Sequence, residues 1–250
     1  MAHQELPAAL LEHLRGLSTC VLASAIETFG VRLPNVGFAD SRVRCIFPEM
    51  PAIIGYAATA RLRSSLPPLE GGTYYGRTDW WDSISKVPTP RIAVLQDMDD
   101  PPGLGAFVGE VHANALAALH CAGLITNGGV RDLPQVRSIP FSLFAGNVTV
   151  SHAYAHISGF GEPVEVGGLE IHPGDLLLAD LHGVVSIPLE IARQLPEAAD
   201  YIQCMRREIV GMCRSAEFTI EKLKAVGDSY GCIRQKEQAM DESPLKRGRS

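Results

Sequence analysis

No two of the six cysteines (Cys20, Cys45, Cys121, Cys204, Cys213, Cys232) stand in C-x-x-C spacing. That argues against a zinc ribbon or a thioredoxin-type redox pair. Several sit in apolar runs, TCVLA, RCIF and HCAGL, where a thiol packs as a small hydrophobe. No stretch reaches the roughly 18 apolar residues that cross a bilayer. The start, MAHQELPAALLEHLRG, carries acidic residues and no long apolar core, unlike a secretion signal. An excess of positive charge is missing too. The 22 Lys plus Arg face 28 Asp plus Glu, for a formal charge of -6, which argues against a nucleic-acid backbone as the main partner. What is present is 46% hydrophobic residues over 250 positions, enough for a core and too many for a disordered chain. The expectation is a compact, acidic, cytoplasmic protein with reduced cysteines, no nucleic-acid partner and no membrane segment.

Leu10, Leu11, Leu14 and Leu17 recur at helical spacing, and Ser18 or Thr19 can cap a second helix, CVLASAIETF, stopped by Gly30. Val31 to Met50 reads as irregular. IIGYAATARLR and RIAVLQDMD read as strands, separated by a Pro/Gly loop from Ser64 to Gly72 and a short helix from Thr78 to Ser85. After the turn-rich DDPPGLGAFVG, the spacing of Val111, Ala115, Ala118, Leu119 and Ala122 predicts a helix from Glu110 to about Ala122, ended by Gly123. LIT is a short buried strand, NGGVRD a tight turn and FSLFAGNVTV extended chain. PVEV and LEI flank the turn pair Gly167-Gly168, and LLLAD and VVSIP make a second hairpin. Pro188 can open a helix. Ala198, Ile202, Met205, Ile209 and Met212 mark another. The reading is one α/β domain over 1–232, helices at both termini, and a flexible polar tail over 233–250.

The segment GEVHANALAALHCAGLITNGGVRD, Gly109 to Asp132, is chemically the most informative. Gly109 followed by a helix leaves backbone N–H groups of Glu110, Val111 and His112 at the positive end of a helix dipole, a place for a carboxylate or phosphate. Past the helix and strand, Gly128-Gly129 allows a close turn that brings in Arg131 and Asp132. Arginine offers a planar fork for a carboxylate. Aspartate offers one hard oxygen ligand, suited to a water-rich Mg2+ or Mn2+. On these residues alone a surface ion pair or turn-capping aspartate, and plain helix capping at Glu110, are the commoner accounts of the pattern.

The pattern G-E-x4-A-x2-A-x3-A-G-x3-N-G-x2-R-D, followed by PVEVGGLEIHPGDLLLADLHGVVSIP, resembles the RraA-like family from about Ser18 to Pro188. That family includes 4-hydroxy-4-methyl-2-oxoglutarate aldolases with oxaloacetate decarboxylase activity and proteins described as regulators of ribonuclease E. The resemblance implies an α/β/α sandwich with a swivelling β/β/α core, assembled as a homotrimer or homohexamer. It implies that Arg131 binds substrate carboxylate and keto oxygen, and that Asp132 is the single protein ligand of a divalent metal. It further implies that Glu110 helps hold or deprotonate water on that metal, and that Val111 and His112, just after Gly109, grip the carboxylate through their amides. Acidic residues from a neighbouring subunit also belong to the family site, with Glu27 a candidate here. Asn127 and His112 depart from the Asp and Leu that many members carry, which leaves the substrate open.

The implied activity is a metal-dependent lyase acting on a small 2-oxo acid through an enolate, by retro-aldol cleavage or β-decarboxylation. No lysine is placed for a Schiff base, since Lys86 is the only one before Lys222. The alternatives are a non-catalytic protein-binding regulator, or a metal-dependent elimination or hydration on a sugar-derived acid. Of the remaining candidates, His152 and His156 (SHAYAH) read as zinc ligands, a substrate contact or polar packing. Trp80-Trp81 with Tyr74 and Tyr75 read as packing or a substrate lid. Asp180 and His182 read as turn chemistry or site neighbours.

Overall fold

The computed structural model describes residues 5–68 and 78–227. Two helices open the chain, α1 (Ala8–Arg15) and α2 (Thr19–Glu27), with Leu11 and Leu14 forming the buried stripe of α1. The irregular segment that follows holds only a two-residue strand, β1 (Arg44–Cys45). Then β2 (Ile53–Arg63), α3 (Thr78–Ser85) and β3 (Arg91–Asp97) fall where the sequence places them. Next come β4 (Ala106–Val108), α4 (Glu110–Ala118), β5 (Cys121–Thr126), β6 (Gly129–Val130), α5 (Leu133–Arg137), β7 (Ser142–Ala145) and β8 (Asn147–Val148). The chain continues through β9 (His156–Phe160), the hairpin of β10 (Val164–Val166) and β11 (Leu169–Ile171), and the hairpin of β12 (Leu176–Asp180) and β13 (Gly183–Ile187). A long helix, α6 (Leu195–Cys213), follows.

Three local expectations change. Helix α4 stops at Ala118, because His120 takes a left-handed conformation (φ 59) and turns the chain into β5. Gly123 is therefore no helix stop but a close-contact residue of the sheet, where a Cβ would lie 2.4 Å from the Ser142 carbonyl oxygen. No helix begins at Pro188; residues 189–194 are turns, and the proline that opens a helix is Pro196, in the first turn of α6. The five-residue α5 is too short for hydrophobic periodicity to announce it. Tyr74 and Tyr75, the end of the loop to Gly72, Cys232 and the 233–250 tail lie outside the described residues.

The described residues fall into two compact units, one reaching to Thr19 and covering Asn35–Glu190, the other covering Cys20–Pro34 and the chain from Ile191. The first holds a mixed sheet of order β1-β7-β5-β3-β2-β12-β13, with β9 also paired to β2. Strands β2, β3, β5 and β7 run parallel; β12 is antiparallel to β2 and β13 to β12. Both faces of the sheet are covered, which is why β2 and β3 read as continuous apolar or small residues. On one face Ala58, Ala60, Leu62, Ala93, Leu95 and Leu124 pack with residues of α3, α4, α5 and β4. On the other Ala57, Ile92, Val94 and Ile125 pack with Val164, Val166, Leu169 and Ile171 of the β10–β11 hairpin. The layers thus run hairpin, sheet, helices. The hairpin closes as its composition predicts, with Gly167 at φ 59 and Gly168 at φ 72.

In the second unit, α6 buries Leu195 and Ala199 and half-buries Ile202, Met205, Ile209 and Met212. Arg206 Nη2 donates to Ser24 Oγ at 2.9 Å. Among the described residues no single helix is long and apolar enough to cross a membrane.

Candidate functional site

A second, three-stranded parallel sheet sets the site. Ala106 of β4 pairs with Gly129 of β6, and Val130 of β6 pairs with Val148 of β8. In parallel strands the chain leaves every strand at the same end. There β4 runs through Gly109 into α4, β6 runs into Arg131-Asp132, and β8 runs through 149–151 to His152. Arg131 N–H donates to the Val108 carbonyl at 3.1 Å, and Thr149 N–H to that of Val130 at 3.0 Å, so the three exits are tied together.

Gly109 lets the two motif halves meet. It is extended (φ -132, ψ -156), and a Cβ on it would stand 2.4 Å from Asp132 Oδ2 and 2.9 Å from Arg131 Cγ. The carboxylate fills the space left by the missing side chain. Its Oδ2 accepts the Glu110 N–H at 3.1 Å, and its Oδ1 accepts Arg131 Nε–H at 3.1 Å. Asp132 has a left-handed backbone (φ 55), a region that aspartate and asparagine enter at lower cost than most residues. Burial by itself pushes the Asp132 carboxyl up. The Glu110 N–H, the Arg131 side chain and the nearby His152 charge outweigh it, and the group is held below its ordinary value. It therefore stays anionic at neutral pH, with 31% of its side chain exposed beside an arginine exposed by 27%.

The sequence leaves three amides open at the start of α4; the structure assigns the first, Glu110 N–H, to Asp132. Ala113 N–H closes the first helical bond, on the Gly109 carbonyl at 2.9 Å, so the earlier N–H groups make none within the helix. Glu110 and Val111 are exposed at this end. The His112 ring, by contrast, is 1% exposed and packs in the wall behind the turn, 4.4 Å from the Phe107 ring centroid and 6.3 Å from Trp81. Burial first, and the charge of His152 second, push its pKa down from 6.5 to about 4. His112 is thus neutral at pH 7 and is part of the packing.

This makes a measurable pH dependence. When a histidine's folded pKa lies below its unfolded one, its stabilising contribution is complete above pH 6.5 and fades as pH falls toward 4, because the unfolded chain takes up the proton first. A drop of that size corresponds to about 3 kcal/mol. His112→Leu should therefore lose about 2–3 kcal/mol less stability than the parent between pH 7 and 4.5, measured by urea unfolding. Equal losses in the two proteins would show that the ring is solvated.

Other candidates resolve into structure. Asn127 clasps the end of β3, its Oδ1 accepting Asp97 N–H at 2.7 Å and its Nδ2 donating to the Asp97 carbonyl at 3.0 Å. An aspartate there could not donate that second bond. Asp97 itself is buried, which pushes its carboxyl up, while N–H bonds from Gly103 and Asp99 pull it back. Trp80 is buried against Phe107 at 5.6 Å, while Trp81 is half-buried beside His112. Asp180 accepts Thr19 N–H and Oγ–H at the start of α2 and His182 N–H in its own turn, so it is a turn and helix-start residue. His152 and His156 share no helix: Nδ1 of His152 donates to the Ala106 carbonyl at 3.1 Å, and that of His156 to the Tyr154 carbonyl at 2.7 Å. Glu27 is the last residue of α2.

The site is therefore an anion-accepting helix start and an arginine arranged about one ionised aspartate, on the exit side of a small parallel sheet. The chain belongs to the RraA-like family: the Aldolase/RraA profile matches residues 19–186. Over 84 residues it is 30% identical to a protein of Halalkalibacterium halodurans named putative 4-hydroxy-4-methyl-2-oxoglutarate aldolase, a match covering 33% of this chain and 40% of that one. Over 70 residues it is 37% identical to a Thermus thermophilus protein named 4-hydroxy-4-methyl-2-oxoglutarate aldolase, covering 27% of this chain and 42% of that one. The chain thus matches less than half the length of either relative. The fold is similar to that of Streptomyces coelicolor RraAS2, described as an unusual member of the RNase ES inhibitor RraA protein family. Its TM-score is 0.64 at 20% identity, with 82% of this chain and 98% of that one covered.

Proposed function

We propose that this protein is a divalent-metal-dependent lyase that cleaves a C–C bond of a small 2-oxo acid through an enolate. The observation that carries the reading is the seating of the Asp132 carboxylate in the space above Gly109, bonded to both the Glu110 N–H and Arg131. The aldolase names of the two bacterial relatives support the lyase class.

Among the described residues no three His, Cys, Asp or Glu side chains converge to hold an ion. A single ionised carboxylate at a half-exposed position suits a hard dication that takes its other ligands from water and substrate, as Mg2+ or Mn2+ does. Bound at Asp132, such an ion supplies Lewis-acid polarisation of the keto oxygen. Arg131 and the α4 helix start bind the substrate carboxylate, with Gly109 giving it access to the Val111 and His112 amides. In retro-aldol cleavage Glu110, at the mouth of the site, accepts the proton of the distal hydroxyl. The C–C electron pair moves onto the keto group, and the pyruvate enolate that forms is then protonated at carbon. In β-decarboxylation carbon dioxide leaves the same enolate with no base. In both, Arg131 stabilises the charge where it develops. Val111, Val148, Val150 and Tyr154, exposed by 57, 49, 91 and 56% near the three strand exits, form the kind of surface a second copy covers. A homotrimer or homohexamer would cover that surface, and the reading places the enzyme in the cytoplasm.

Pyruvate release from oxaloacetate and from 4-hydroxy-4-methyl-2-oxoglutarate tests the reading. Activity is expected to vanish with EDTA and return with Mg2+ or Mn2+. Turnover indifferent to chelation would reject the mechanism.

A further inference from the structure

A second crevice opens on the main sheet, away from the α4 start. In sheets of parallel strands, ligands settle beyond the carboxyl ends of the strands. At those ends β3 presents Gln96, β5 runs on to Asn127, and β7 runs on to Gly146-Asn147. These residues line a cleft of about 590 Å3 together with Arg42, Arg44, Glu165 and the Gly167-Gly168 turn. Asn127 precedes β6 and Asn147 opens β8, so the cleft lies where the chain enters the small sheet. The Asp132 site lies where the chain leaves it, and none of Gly109, Glu110, Arg131 and Asp132 lines the cleft.

The bonds that fix these residues leave hydrogen-bond donors over. Asp40 accepts Arg42 Nε–H at 2.9 Å and Nη2–H at 2.6 Å, and its own N–H is anchored on the Gly167 carbonyl at 2.8 Å. Arg44 donates Nε–H to the Ser41 carbonyl at 3.3 Å. Gln96 Oε1 accepts the Glu165 N–H at 3.1 Å, which fixes its amide orientation. Among the described residues, Arg42 Nη1, both terminal nitrogens of Arg44 and Gln96 Nε2 make no hydrogen bond. The amides of Asn127 and Asn147, by contrast, are spent on the Asp97 backbone, the Gly103 carbonyl and the Val148 N–H. Asp40 balances the charge of Arg42. That leaves the Arg44 guanidinium, whose outer edge can take two oxygens of one anion, opposed by the exposed Glu165 carboxylate.

We propose that this cleft is a binding site for a small oxyanion, a carboxylate or phosphate group laid across the outer edge of Arg44. Gln96 Nε2 and Arg42 Nη1 supply the further donors. Glu165 repels the anion and sets the affinity low, as suits a ligand that is taken up and released. The inference stands apart from the lyase reading, since the cleft shares no residue with the Asp132 site.

The test is calorimetric titration of inorganic phosphate and of succinate into the full chain, at constant ionic strength because salt screens exposed charges. The parent is expected to bind at least one probe. Phosphate alone assigns a phosphate-bearing ligand, succinate alone a carboxylate, and both together the oxyanion as such. Arg44→Gln should bind the probe about tenfold more weakly and melt like the parent. Glu165→Gln removes the opposing charge and should bind it about threefold more tightly, a gain that damage to the fold does not produce. Arg131→Ala should keep the affinity within about twofold while losing pyruvate release. No heat from either probe at about 50 mM, parent-like affinity in Arg44→Gln, or no gain in Glu165→Gln would overturn the inference and leave Arg44 a solvated surface residue. Binding lost in Arg131→Ala and kept in Arg44→Gln would overturn it too, placing the anion at the Asp132 site. Failure of the lyase reading shows instead as a parent that releases no pyruvate, and leaves these affinities as they are.

Discussion

Asp132→Asn is expected to lower kcat/KM for pyruvate release by about a thousandfold, roughly 4 kcal/mol of transition-state stabilisation. The fold should be untouched. Asparagine tolerates the left-handed backbone of position 132 (φ 55), and its amide oxygen can still accept the Glu110 N–H. What goes is the negative charge, and with it the hard ligand that a dication needs. Residual turnover should therefore no longer respond to EDTA, and the melting temperature should stay within about 3 °C. Alanine would be a poorer test because it adds backbone strain to the lost charge. Full activity in Asp132→Asn would reject the proposed chemistry.

The second large effect is on stability, at a residue whose type suggests a surface. Arg91 opens β3 and is 9% exposed. Its guanidinium donates Nε–H to the Val87 carbonyl at 2.6 Å, Nη1–H to that of Leu119 at 2.7 Å and Nη2–H to that of Ser85 at 2.8 Å. The Ser85 and Leu119 carbonyls end α3 and α4, where acceptors go unmatched within the helix and a cation is favoured by the helix dipole. Removing the side chain strands three carbonyls in a partly buried place, those of Val87 and Leu119 on half-buried residues and that of Ser85 on an exposed one, at up to about 1–3 kcal/mol each when unmet. Arg91→Ala should lose about 4 kcal/mol in urea unfolding, after allowance for partial hydration of the gap. Lysine cannot span three acceptors in a plane, so Arg91→Lys should recover less than half of the loss. Because α4 carries Glu110 and Val111 at its other end, Arg91→Ala should keep activity in the cold and lose it on mild heating. A loss below about 1 kcal/mol would mean that water serves these carbonyls unaided.

The elements that sequence pattern located best are those with strong, long signals. β2 and β3 are runs of buried small and β-branched residues, the Gly167-Gly168 turn needs positive φ twice, and α1 shows its leucines at the right intervals. Misreadings came where one residue type serves two purposes. Gly123 looks like a helix stop, but glycine also permits two backbones to touch, and the Ser142 carbonyl beside it decides for the second use. Pro188 and Pro196 both suit a first helical turn, and only the packing of Leu195 and Ala199 chooses Pro196.

The site divides in the same way. That Gly109, Glu110, Arg131 and Asp132 form one chemical group could be read from the chain through the family resemblance, because glycines and charges at fixed spacing are a local property. That the Asp132 carboxylate occupies the space above Gly109 and takes the first amide of α4 is set by the pairing of β4 with β6, which joins residues 22 apart. His112 and His152 show the limit most plainly. Sequence alone made His112 a residue of a helix start and left His152 a zinc ligand, a substrate contact or polar packing. Whether an imidazole is a neutral packing group or a half-buried strut depends on its neighbours, Phe107 and Trp81 for the one, the Ala106 carbonyl for the other. Local sequence therefore determined the strands, the turns and the types of chemical group. Burial and orientation, which set charge and reach, were decided by long-range strand pairing.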